Sequence, residues 1–330
     1  MAGMAANHVG FGDEESLPVG SIIHPFSSTS RSEEWRSEDN MKKTSEIPVG
    51  HLLSERLGFP EFYSLEVWRA SMAELFGTAI LVFALATTAI SSLETDTKTP
   101  NLMMAAFAFL SITILLIATV PVSGGHINPI VTFFATLIGL ISPARATIYI
   151  LAQCIGGMLA AFALKAIVSD AIEDKYSLGG CTLTTITAGP DGPITLGIET
   201  GPGLWLEIIC TFVFLYASIW IAFDRRQAKA HGLVKVCVII GAVVGLLVLV
   251  STTVTAKKGY SGIGLNPARC VGPAIVRGGH LWVGHWVFWV GPTIGCLAFY
   301  LYVKIIPRQH FQAEEYKYDV FTTAKLLFHK

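Results

Sequence analysis

Six apolar runs of membrane-spanning length punctuate the chain, at residues 70–91, 102–122, 144–168, 204–223, 232–254 and 282–306. A helix needs ~20 predominantly apolar residues to cross a bilayer, and each run qualifies. Two further apolar stretches, 126–140 and 263–277, are too short to cross. One follows Gly124-Gly125, the other Gly262, and each carries an Asn-Pro pair. Short segments of this kind, at matching places in two halves, point to a site at mid-membrane. The halves match elsewhere too. Glu74 precedes Thr78 by four residues in the first run, and Glu207 precedes Thr211 by four in the fourth. An odd number of spans per half gives the halves opposite orientations. The pattern predicts an all-α membrane protein: six transmembrane helices plus two re-entrant half-helices in an inverted 3+3 repeat. Repeat one is expected at 66–168 and repeat two at 204–306.

The flanks differ in character. Residues 1–65 are rich in Ser, Glu and Gly, too polar to offset the entropy of ordering, and read as a disordered tail. Ser32 and Ser37 precede acidic residues and are candidate phosphorylation sites. No apolar core of a signal peptide is visible in the first fifty residues. Residues 307–330 form a second, charged tail. Arg225, Arg226 and Lys229 lie between spans four and five, and Lys42, Lys43, Arg56 and Arg69 precede span one. By the positive-inside rule both termini are cytoplasmic; Lys257 and Lys258, on the outer side, are a mild exception. The long connection 169–203 is then external, where it has the length to fold over a pore mouth.

Composition agrees. The chain is 52% hydrophobic and 14% charged, against roughly 25% charge in soluble domains. Its mean hydropathy is +0.57. A net charge of -1 provides no field to recruit nucleic acid. No paired catalytic carboxylates, metal-ligand cluster or phosphate loop is evident, so no enzyme, cofactor or metal is expected. The six cysteines suggest no disulfide framework. Cys154, Cys210, Cys237 and Cys296 sit in apolar runs as small core residues. Cys181, in the long loop, is either a cross-link to a neighbouring subunit or a free thiol. Cys270 is either a target for mercurials and oxidants or a buried small residue.

The chemistry lies in the two Asn-Pro segments, Ser123-Gly124-Gly125-His126-Ile127-Asn128-Pro129-Ile130 and Ser261-Gly262-Ile263-Gly264-Leu265-Asn266-Pro267-Ala268-Arg269-Cys270. Asn is a good N-cap and Pro suits the first helical position, so each motif starts a helix. Irregular backbone at membrane depth persists only where it lines a cavity or is buried in protein. The half-helices therefore enter from opposite faces and meet end to end. Each N-terminus carries roughly half a positive charge, and two facing N-termini disfavour cations, hydronium included. The Asn amides donate and the loop carbonyls accept, which suits a neutral, hydrogen-bonding solute. Arg269, a charge at membrane depth, is functional by default and is expected at the narrowest part of the pore. Glu74 and Glu207 are expected to accept from loop amides and support the half-helices, with His126 beside the first motif.

These residues resemble the major intrinsic protein (aquaporin) superfamily over about 70–306. The resemblance is carried by Ala73-Glu74 with Gly77-Thr78, the first motif, Tyr149 with Ala152-Gln153, Glu207 with Thr211-Phe212, Asn266-Pro267-Ala268-Arg269, and His285-Trp286-Val287-Phe288-Trp289-Val290-Gly291-Pro292. Ile130, where most members have Ala, Cys270, where most have Ser, and the Ser-rich tail are similar to the plant X intrinsic proteins. The resemblance implies a homotetramer with one pore per subunit, set among membrane lipids, with the plasma membrane as its place. It also implies a four-position filter: Ala108, Ile263, Arg269 and, from helix five, Val254, or Thr253 if the following loop is one residue longer. Such a filter is wide and apolar, with Arg269 as chief donor. Passage of glycerol, urea, boric acid and hydrogen peroxide with low water permeability is the expectation. Trp289, which looks like water-channel members, pulls towards the alternative of a water-selective channel. A structural junction protein without flux is the reading from another class; polar Asn and Arg at membrane depth argue against it.

Overall fold

A computed structural model describes residues 54–255 and 257–306. The expected disorder over 1–53, Ser32 and Ser37, and the tail 307–330 lie outside the described residues. Among the described residues six helices are long and apolar enough to cross a membrane: α1 (Leu65–Glu94), α2 (Pro100–Ser123), α4 (Pro143–Lys165), α6 (Thr200–Phe223), α8 (Leu233–Val254) and the span Gly279–Ile305, whose regular part is α10 (Val287–Ile305). Two short helices, α3 (Pro129–Leu137) and α9 (Pro267–Arg277), start at the Asn-Pro pairs. Both expected half-helices are thus present, with the six spans around them.

Local chemistry sets the helix ends. Ser142 caps α4 by accepting from the Arg145 N–H at 3.1 Å. Proline occupies the first helical position of α2, α3, α4 and α9, where its missing N–H costs nothing. Side chains such as Ile80, Ile114, Leu151 and Leu246 are apolar and exposed, as a lipid-facing surface requires. With lipid outside, helix association depends on close contact rather than on apolar burial. Small residues supply that contact. On α4 a Cβ at Gly156 would fall 2.3 Å from the Leu75 carbonyl oxygen of α1, and one at Gly157 would fall 2.3 Å from that of Ala268 in α9. On α10 a Cβ at Gly295 would fall 2.5 Å from the Ile208 carbonyl oxygen of α6. Each half therefore pins its first and third spans together through glycine.

Three features differ from the sequence expectation. The polar tail gives way to structure before residue 65: Phe59–Tyr63 forms a short 3-10 helix, and Glu61 accepts from Ser142 Oγ at 2.7 Å and Arg145 Nε at 3.0 Å. Capping and ion pairing at the start of α4 hold this segment, not apolar burial. The connection 169–203 contains α5 (Asp170–Tyr176) and a hairpin of β1 (Thr184–Gly189) with β2 (Gly192–Gly197), closed at Pro190-Asp191. Finally, α6 widens into a π-turn over Leu215–Ile219, an irregularity that often marks functional positions. A short helix, α7 (Arg225–His231), joins α6 to α8.

Candidate functional site: a lumen between two half-helices

The site is built around the facing starts of α3 and α9. Asn128 and Asn266 have extended backbones, at φ -156° and -131°. Their Oδ1 atoms cap the new helices, accepting from Ile130 N at 2.9 Å and Ala268 N at 3.0 Å. Their amides reach across to the other half. Asn128 Nδ2 donates to the Leu265 carbonyl at 3.0 Å, and Asn266 Nδ2 to the Ile127 carbonyl at 2.8 Å. Each amide has a second N–H, available to a molecule in the cavity that both residues line.

Making those carbonyls face the partner has a conformational cost. Ile127 and Leu265 both adopt left-handed backbone, at φ 41° and 53°. That region is a genuine outlier for β-branched or bulky residues and persists only where surroundings over-determine it. The buried carboxylates supply the constraint. Glu74 Oε1 accepts from Ser123 Oγ at 2.6 Å and His126 N at 3.0 Å; its Oε2 accepts from Ile127 N at 2.6 Å and Gln153 Nε2 at 2.8 Å. Glu207 accepts from Gly264 N at 2.5 Å and Leu265 N at 3.1 Å. His126 is buried, with Nδ1 3.1 Å from Thr132 Oγ1 and its ring edge-on to Tyr149.

The cavity runs past both motifs. Its volume is about 90 Å³, room for a short file of waters at ~10–15 Å³ each on that measure. One side is apolar: Leu81 and Leu85 of α1, Ile112 and Leu116 of α2, and Ile240 and Val244 of α8. The other is polar backbone, from Gly125 to Asn128 and from Ser261 to Asn266, together with Arg269. Pro129, Ile130, Pro267 and Ala268 are buried but stand behind the lumen, packing the helices that carry the asparagines.

Of the expected filter residues, Ala108, Ile263 and Arg269 line the same cavity. Val254 and Thr253 do not. Val254 is 64% exposed at the end of α8, and the Thr253 hydroxyl turns back to the Leu249 carbonyl. On α8 it is Ser251 that lines the cavity: it is fully buried, and its Oγ accepts from Ile263 N at 3.3 Å. Val254 lies three residues further on, about 4.5 Å along the helix axis. Val248, Thr88 and Met104 also line this end and were not singled out from sequence. The period of α8 does signal Val244, Val248 and Ser251, which share a face at i, i+4 and i+7.

The cysteines are a second correction. Cys181 and Cys270 form an intrachain disulfide, with Cα atoms 5.0 Å apart. Neither a cross-link between subunits nor a free thiol at either position remains. The reason is depth: residues 178–183 leave the hairpin end and descend into the bundle, so that Leu178, Cys181 and Leu183 are all buried.

Comparison with known proteins decides what this arrangement belongs to. The family model described as Major intrinsic protein matches residues 61–302. The chain belongs to that family. It is 32% identical over 253 residues to Aquaporin PIP1-2 of Musa acuminata subsp. malaccensis, covering 75% of this chain and 82% of the relative. It is 34% identical over 255 residues to Probable aquaporin PIP2-6 of Oryza sativa subsp. japonica, covering 74% and 84%. The aquaglyceroporin from Plasmodium falciparum shares the fold, with a TM-score of 0.59 at 16% identity, over 75% of this chain and all of that one. This aquaporin-family channel is therefore a multi-pass membrane protein, not an enzyme, and the lumen between α3 and α9 is its candidate pore.

Proposed function

We propose that the channel passes small uncharged solutes passively (glycerol, urea, boric acid and hydrogen peroxide), with low water permeability, and excludes protons and ions. The observation that carries the reading is the set of side chains around Arg269. Ala108 and Ser251 are small, Ile263 is apolar, and one guanidinium supplies the donors. A polyol gains dispersion against the apolar wall and pairs its hydroxyls with Arg269 and the loop carbonyls. Ion exclusion follows from two helix N-termini facing each other and from the fixed positive charge of Arg269. No ring of carboxylates lies among the lining residues to replace the hydration shell of a cation.

The proposal extends to context. The Cys270 and Ile130 departures fit an X intrinsic protein. The apolar exposed faces of the spans fit lipid and neighbouring subunits of a homotetramer. Basic residues near Arg226 and Lys229 favour cytoplasmic termini, and the plasma membrane is the proposed site. A second reading, a water-selective channel, is favoured by the PIP-type relatives.

Stopped-flow light scattering on proteoliposomes separates the two. Glycerol and boric acid uptake well above empty vesicles, with weak osmotic water flux, supports the solute reading. Fast water flux without solute uptake replaces it with the water channel, and absence of every flux removes both.

A further inference from the structure

The disulfide sits beside Arg269, the one Asp, Glu, Lys or Arg side chain among the described residues that line the lumen. Cys270 follows Arg269 directly, and Arg269 Nη1 donates to Cys181 Sγ at 2.9 Å. Among the described residues that sulfur is the guanidinium's one side-chain acceptor. Five N–H donors belong to a guanidinium, so the others remain for a molecule in the cavity.

The arm that delivers the sulfur is tightly fixed. At Gly179, where φ is 63°, a Cβ would fall 2.7 Å from Ala86 Cα, and at Gly180 one would fall 3.0 Å from the Pro273 and Leu281 side chains. Thr182 and Ser261 are tied in both directions, Thr182 N to Ser261 Oγ at 2.9 Å and Ser261 N to the Thr182 carbonyl at 3.0 Å. Cys270 Sγ rests on Gly264, where a Cβ would come within 2.6 Å of it. One covalent bond therefore joins the segment 178–183 to α9, and hydrogen bonds tie in the second loop, around a single guanidinium.

We propose that Cys181, through its bond to Cys270, is a specificity-determining positioning residue that parks the Arg269 guanidinium against one wall of the pore. The proposal rests on the solute-pore reading and adds to it a covalent cause for the position of the chief donor. A free Arg side chain has large rotamer entropy; unanchored, its head sweeps the lumen and obstructs a three-carbon polyol more than a water. Losing the anchor therefore changes the ratio of solute to water permeability, and not just the total flux.

The test uses the full chain in proteoliposomes as wild type, Cys181→Ser, Cys270→Ser, and wild type reduced with a phosphine and then reoxidised, with free thiols counted by mass spectrometry. Glycerol and water permeability are measured on the same vesicles, so their ratio is independent of how much protein is folded. The expected result is a fall in the glycerol-to-water ratio of about threefold or more in Cys181→Ser, the lower end of the scale of one ordinary hydrogen bond. Cys270→Ser, which keeps a sulfur at 181, falls less. Reduced wild type falls and recovers on reoxidation, which carries the test if Cys181→Ser does not fold. A channel that conducts with an unchanged ratio after loss of the disulfide overturns this proposal alone. A wild type that passes neither water nor solute overturns the pore reading and this proposal together.

Discussion

Asn128 and Asn266 each complete the other's half of the molecule: each caps its own half-helix with Oδ1 and gives an amide hydrogen to the carbonyl that precedes its counterpart. The pair is both a structural clasp and the donor set at the centre of the lumen. Asn128→Asp keeps a capping oxygen but loses the crossing N–H, and it places a negative charge where two helix N-termini had made the potential positive. Cation conductance in planar bilayers is expected to rise by about tenfold or more while neutral flux persists. Unchanged cation exclusion would show that the facing dipoles alone suffice.

Glu74 and Glu207 support the left-handed turns unequally. Glu74 accepts four hydrogen bonds and Glu207 two. Replacing either by Gln turns one acceptor into a donor aimed at backbone N–H groups, which costs ~1–3 kcal/mol for each buried group left unpaired. Thermal unfolding in detergent should therefore rank wild type above Glu207→Gln and Glu207→Gln above Glu74→Gln. The reverse order would mean that Ser123 and Gln153 add little.

The helix-five position has a direct test. Ser251→Phe adds a ring to the lumen that Arg269 also lines and is expected to abolish glycerol uptake, as is Ala108→Phe. Val254→Phe adds a ring to an exposed helix end and should leave uptake within about twofold of wild type. Block by Val254→Phe with free passage in Ser251→Phe would restore the simpler alignment.

Ile130 is 3% exposed and packs among Val131, Phe134 and their neighbours without lining the cavity. Ile130→Ala leaves a void costing ~2–5 kcal/mol by soluble-protein analogy. Lower thermal stability and altered conductance, through a loosened α3, are the expected outcome with expression retained. Identical flux would make the residue a packing variant only.

What the sequence reveals follows from which physical demands leave a pattern. Lipid demands long apolar runs, so the six spans were legible; membrane depth demands a reason for Asn-Pro and Arg, so the two half-helices and Arg269 were too. That Val254 is exposed and off the lumen is not legible, because a register counted from Asn266 fails as soon as the intervening loop changes length, and the loop residues 255–262 carry no apolar period to reveal it. Ser251 is announced only by the helical period of Val244 and Val248. The bond between Cys181 and Cys270 spans 89 residues, and no local spacing encodes a pairing at that range. The hairpin had a readable signal, Thr-Ile-Thr alternation closed by Gly-Pro-Asp-Gly, which the length of the connection obscured. The π-turn in α6 has no signature in Leu215–Ile219.

The crossing hydrogen bond from Asn128 to Leu265 has a further consequence for how the protein is made. The two residues are 137 apart in the chain. At ~5–20 residues per second of synthesis, the first re-entrant segment waits roughly 7–27 s for its counterpart to be translated. During that interval Asn128 has no distant carbonyl to grip, and Ile127 holds an unfavourable backbone with Glu74 as its local restraint. Nascent chains stalled before residue 265 should therefore keep three inserted spans but leave the first Asn-Pro loop open to protease, or to a thiol-reactive probe once a cysteine is introduced there, closing only when the second repeat arrives.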